Sequence, residues 1–236
     1  MPTSVFANRN IIAPTKQELR WGLLCWIVYL FLPIILSVIP YFSGDSIEVV
    51  FHYNITISVV TFLLIAVCFR PFLYRSRLPF LLLFLTCLFG FLGSQGLGGL
   101  WNIFLSILRS LLPGETTNMN QELVNEFLLN YKGAMLIDVI LFAPFIEEIL
   151  FRGLIFAPLC KKKPFLAYAV SMACFAFFHV YGFIGSQSGV DLLFSFLQYL
   201  PAGFVLCWSY QRSQSIWAPM TLHGILNLIS ASYILA

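Results

Sequence analysis

Long apolar runs separated by short polar or basic stretches set the pattern of this chain. The first covers 21–42 and is followed by Asp45 and Glu48. Runs over 55–69 and 79–98 come next, with Arg70, Arg75 and Arg77 between them. Four more cover 133–160, 165–184, 190–210 and 216–235. Most are near the twenty or so residues that a helix needs to cross a bilayer. In lipid each segment must satisfy its own backbone hydrogen bonds, so the predicted elements are helices. The stretch 100–112, interrupted by Arg109, is short for a span and predicts either an interfacial segment or an eighth crossing. Residues 113–132 form the long polar segment and predict a loop with a turn or two of amphipathic helix. The pattern as a whole predicts an all-α, polytopic membrane bundle of seven helices, or eight if 100–112 also crosses.

Basic residues orient such a bundle, because Lys and Arg collect on the cytoplasmic side. Placing 1–20 (Arg9, Lys16, Arg20), 70–77, 161–163 and Arg212 inside gives seven alternating spans. The amino terminus is then cytoplasmic and the carboxyl terminus outside. No cleavable signal precedes 21–42, so that run is expected to be an uncleaved anchor.

Composition agrees. Hydrophobic residues make up 60% of the 236 and charged ones 10%, against about 25% charged in soluble domains. A soluble enzyme, a disordered tail and a coiled coil are excluded. The net charge of +3 is spread over loops, which argues against nucleic acid as a partner. The six cysteines lie in or at the ends of apolar runs without a CxxC pair. They read as small buried hydrophobes rather than disulfides or a zinc knot. Gly90, Gly93, Gly96, Gly98 and Gly99 are expected to allow close helix approach, and the sequon at Asn54 is expected to be chance.

Ionisable groups inside spans are costly and mark function by default. The run 133–160 holds Asp138, Glu147, Glu148 and Arg152, with His179 in the next run and His223 in the last. The chain therefore reads as a single membrane domain, 1–236, with scaffold spans and a polar loop in 1–132 and a catalytic core in 133–236. Glu148 and Arg152 are four apart and can pair on one face. Glu147 lies about 100° round from Glu148 and is left without that partner. His223 and Asn227 share a face in the same way. At about 1.5 Å rise per residue, Glu147, His179 and His223 lie at similar heights above the basic end of their helices. Pro144 and Pro219 each remove a backbone hydrogen bond just before a polar group. Asp138, nine residues from Glu147, is expected on roughly the opposite face, solvated near the outer end.

Three patterns then stand in order: Glu147-Glu148-x-x-x-Arg152-Gly153, Phe175-x-x-x-His179 and His223-x-x-x-Asn227. Over 133–236 they resemble the signature of the CaaX-protease and bacteriocin-processing-enzyme family, also called Abi. The resemblance implies an intramembrane endopeptidase, a hydrolase of the cell membrane, bacterial in type. Its substrates would be leader, bacteriocin or signalling peptides. It implies that Glu147 activates water, with His179, His223 and Asn227 at the reacting centre and Glu148 and Arg152 bracing it. It leaves open a catalytic zinc on Glu147, His179 and His223 against a metal-free, glutamate-dependent protease. The alternative it carries is a non-proteolytic partner of another membrane protein, in bacteriocin self-immunity or regulation of a sensor kinase. A transporter would show inverted repeats, and the sequence has none.

Overall fold

A computed structural model describes residues 11–112 and 118–236; Arg9 and residues 113–117 fall outside them. The chain is helical, with no sheet among the described residues beyond one isolated bridge at Ile184 and Gln187. The helices are α1 (Lys16–Ser37), α2 (Ile47–Cys68), α3 (Arg70–Arg75), α4 (Phe80–Ser110) and α5 (Met119–Asn130). A continuous helical rod follows over 132–160, built from α6 (Lys132–Ile137), α7 (Ala143–Glu147) and α8 (Ala157–Cys160), with π-helical stretches at Asp138–Phe142 and Glu148–Phe156. α9 (Pro164–Val180), α10 (Gly189–Ser213) and α11 (Trp217–Leu235) complete the bundle. Six helices (α1, α2, α4, α9 with its 3₁₀ extension, α10 and α11) are long and apolar enough to cross a membrane. The rod is the other long helical segment.

Several expectations are corrected. α2 begins at Ile47, not near 55, because Ser46 caps the Val49 amide and Glu48 suits the positive end of the helix dipole. Its polar residues are absorbed locally: Asn54 Nδ2 donates to the Val50 carbonyl at 2.7 Å. The stretch 100–112 is not a separate eighth helix, since its residues up to Ser110 continue α4 as one 31-residue helix. α5 is a three-turn helix rather than a loop, capped by Asn118. Of the five glycines, Gly90 alone makes a close approach, where a Cβ would stand 2.5 Å from Leu222. A Cβ on Gly93, Gly96, Gly98 or Gly99 would meet nothing within 4 Å.

Burial grades the bundle from rim to axis. Only 17% of the apolar window of α1, α2 or α4 is buried, against 39% for α10 and α11. The rod 148–156 is the most enclosed part, with Ile149, Leu150, Phe151 and Phe156 at 0% exposure. Outward residues such as Phe80 and Val67 are exposed, as a lipid-facing surface requires. All six cysteines are free thiols, four of them buried.

One end of the bundle gathers the basic residues. Arg75 on α3 pairs with Glu18 on α1 at 2.6 Å. Ser215, between α10 and α11, bonds the Ser76 carbonyl, and Trp217 Nε1 donates to the Leu73 carbonyl at 3.0 Å. Lys161, Lys162 and Lys163 are exposed between α8 and α9. The functional groups lie towards the opposite end.

Candidate active site

The π-helical stretch at 138–142 sets the geometry of the rod. A π turn holds one more residue than an α turn, so the phase slips by about 100°. Pro144 is the second residue of α7, just after this stretch, and inside a continuous rod its missing N–H leaves a carbonyl of the preceding turn without a backbone donor. α11 closes against this stretch: a Cβ on Gly224 would lie 2.6 Å from the Ile140 carbonyl oxygen. Asn227 Nδ2 donates to the Val139 carbonyl at 2.7 Å, which satisfies a backbone group of the π turn.

Downstream, Glu148 and Arg152 are both fully buried, with Nη1 to Oε1 at 3.1 Å. Arg152 Nη2 also donates to the Gly203 carbonyl at 3.2 Å on α10, and its guanidinium stacks 4.4 Å from the centre of the Phe175 ring. The same Glu148 oxygen lies 2.9 Å from His223 Nδ1. One buried carboxylate thus joins the rod to α11, while Arg152 joins it to α10.

Glu147 has no such anchor. Its Oε2 is buried without a hydrogen-bond partner, 3.8 Å from His179 Nε2 and 4.0 Å from His223 Nε2. Residues from three segments therefore meet at one point, as their heights along the chain predict. The ring orientations follow from the outer nitrogens. His179 Nδ1 lies 2.8 Å from the Phe175 carbonyl, which can only accept, so Nδ1 carries the hydrogen. His223 Nδ1 faces the Glu148 carboxylate and carries it likewise. In the neutral rings both Nε2 atoms then aim a lone pair at Glu147.

These atoms line a cavity of about 280 Å³. Asp138 lines it too, which corrects the expectation of a solvated residue on the far face; the π turn between Asp138 and Glu147 accounts for the change. Five further contributors carried no charge to mark them. Tyr199 on α10 packs 4.2 Å from the His179 ring centre, and Asn120 Nδ2 bonds its hydroxyl at 2.9 Å. Asn54 and Ser58 of α2 and Gln121 of α5 complete the polar wall. The amino-terminal spans thus supply part of the cavity.

The two imidazoles have the outer-nitrogen partners that ligating histidines use. Even so, among the described residues no group of three or more His, Cys, Asp or Glu side chains is arranged to hold a metal ion. Separations of 3.8–4.0 Å exceed a direct hydrogen bond and suit a bridging water.

Residues 130–229 match the family model described as type II CAAX prenyl endopeptidase Rce1-like, in agreement with the resemblance read from the motifs. The chain is also 26% identical over 127 residues to the UPF0177 protein YvdC of Lactococcus lactis subsp. lactis (strain IL1403). That alignment covers 54% of this chain and 45% of the relative, so less than half of the relative's length is matched. No solved structure matches the chain.

Proposed function

We propose that the chain is an intramembrane endopeptidase that hydrolyses peptide bonds of membrane-associated peptides with a water activated by Glu147. The observation that carries this reading is the division between neighbouring carboxylates. Glu148 is tied to Arg152 and His223, whereas Glu147 faces the cavity between two imidazole lone pairs.

A water between Glu147 Oε2 and the two Nε2 atoms donates one hydrogen to the carboxylate and the other to one imidazole nitrogen, which turns its own lone pair towards the substrate carbonyl. Glu147 takes one proton as the oxygen attacks carbon and the carbonyl π pair moves to oxygen. Collapse of the tetrahedral species expels the amine, which receives the proton held by Glu147. The Glu148–Arg152 pair fixes the His223 ring, and the Phe175 carbonyl fixes His179. Asn227 holds the π turn through Val139 and keeps Glu147 in phase with the histidines.

The test compares peptides released by membranes carrying the wild-type protein and Glu147→Gln. General-base removal typically costs about 10²–10⁴ in rate, so released products should fall at least a hundredfold at equal protein level. His179→Ala and His223→Ala should be similarly inactive. Full cellular phenotype with Glu147→Gln would instead favour a non-proteolytic membrane partner.

A further inference from the structure

We propose that the catalytic cavity opens to the extracytoplasmic face, and that its substrate is a hydrophilic peptide segment presented from that side. This deepens the endopeptidase reading and rests on it. Two independent observations carry it.

The first is the position of the cavity relative to charge. Nine of the 13 Lys and Arg residues lie at the basic end: Lys16, Arg20, the three arginines of 70–77, 161–163 and Arg212. Arg109 and Lys132 stand at the other end. Such a bias sets the basic end in the cytoplasm. The cavity is walled by the first half of α2, by α5, by the start of the rod and by the last half of α11. Each of these lies away from the basic end, where α2 finishes, α9 begins, α10 finishes and α11 begins. From Pro164 at the start of α9, His179 is about 22 Å along the helix, well past the middle of a 30 Å hydrocarbon core.

The second is a further cavity that joins the first. It has a volume of about 1110 Å³ and lies between the last turns of α4, the start of α5 and the first turns of α10. Tyr199 and Gln121 line both cavities, so the two meet beside His179. The walls carry carboxamides and hydroxyls from Asn102, Ser106, Ser110, Asn118 and Gln198. Carboxamides and hydroxyls can donate to and accept from the C=O and N–H groups of an extended peptide. A prenyl or acyl chain would gain nothing from them and would leave them desolvated. α10 offers Gln198 and Tyr199 side by side, one towards the outer cavity and one towards the catalytic imidazole.

Orientation is read without activity by labelling intact bacterial cells with a membrane-impermeant maleimide. Asn118→Cys should label at least tenfold above the wild-type background, and Lys162→Cys should label only after permeabilisation. The reverse pattern overturns the proposal. Cleavage is read with a quenched, hydrophilic fluorogenic peptide pool in sealed vesicles. Right-side-out vesicles should turn it over at least tenfold faster than inverted ones, with detergent removing the difference. Faster turnover in inverted vesicles overturns the orientation and leaves the protease reading standing. Correct labelling with no Glu147-dependent turnover even in detergent overturns the protease reading, and with it the substrate claim. Gln198→Leu should raise KM at least fivefold and leave kcat within twofold. Faster cleavage of a prenylated form of the same peptides would overturn the hydrophilic class.

Discussion

Arg152→Ala should unfold the catalytic end of the bundle, while Glu147→Gln, five residues away, should not. Arg152 is fully buried and serves three partners: the Glu148 carboxylate, the Gly203 carbonyl and the Phe175 ring. Removing one partner of a buried ion pair costs about 3–5 kcal/mol. An orphaned buried acceptor adds about 1–3 kcal/mol, and a desolvated cation–ring contact about 0.5–2 kcal/mol. Because one network holds all three, the terms do not add in full, and a loss of about 5 kcal/mol is expected. That is comparable with the whole stability of a marginal domain. For a chain of this size it corresponds to a fall of roughly 10–20 °C in Tm. Glu147 makes no hydrogen bond through Oε2, so its amide replacement should melt within a few degrees of wild type. The assay is thermal unfolding of detergent-solubilised protein with folded yield as the second readout. A double variant, Glu148→Gln with Arg152→Met, should recover much of the loss, since it removes the stranded charge. Equal Tm for Arg152→Ala and Glu147→Gln would refute the division of labour between the two carboxylates.

Other outcomes follow from the same geometry. Gly224→Ala should lower Tm, because the new Cβ would meet the Ile140 carbonyl at 2.6 Å, whereas Gly96→Ala, in open space, should not; a measured order the other way contradicts the packing of α11 on the π turn. Asn227→Leu should reduce cleavage at least tenfold by freeing the Val139 carbonyl, and unchanged kinetics would show that the π turn holds without it. Cleavage should stay within twofold after treatment with a strong zinc chelator; loss that is restored by added zinc would overturn the metal-free route.

Much of the site could be read from spacing alone. Glu148 and Arg152 pair because four residues return a helix to the same face, and matched rises bring Glu147, His179 and His223 together. Asp138 defeated that arithmetic because a π turn intervenes, and nothing in Asp138–Phe142 declares one apart from the proline just after it. Tyr199 was missed for a different reason: an uncharged aromatic in an apolar run looks like ordinary packing until its ring meets His179. The long α4 was hidden by its glycines. Each weakens a helix in water by about 1 kcal/mol relative to Ala, but lipid removes the alternative of hydrating the backbone, so the helix continues to Ser110. The polar start of α2 lay before the apolar run at 55–69 and so was not read as helix, although Asn54 lines the cavity.

The hydrogens on the two Nδ1 atoms have a consequence for inhibitor chemistry. With both imidazoles fixed from behind, the innermost surface offers a carboxylate oxygen and two lone pairs, all of them acceptors. A compound that brings its own hydrogens to this point, such as a gem-diol or a hydroxamic acid, matches that surface. An ester or simple ketone of the same shape presents only further lone pairs and meets repulsion. Potency against this protein should therefore track the number of donors a warhead carries rather than its electrophilicity.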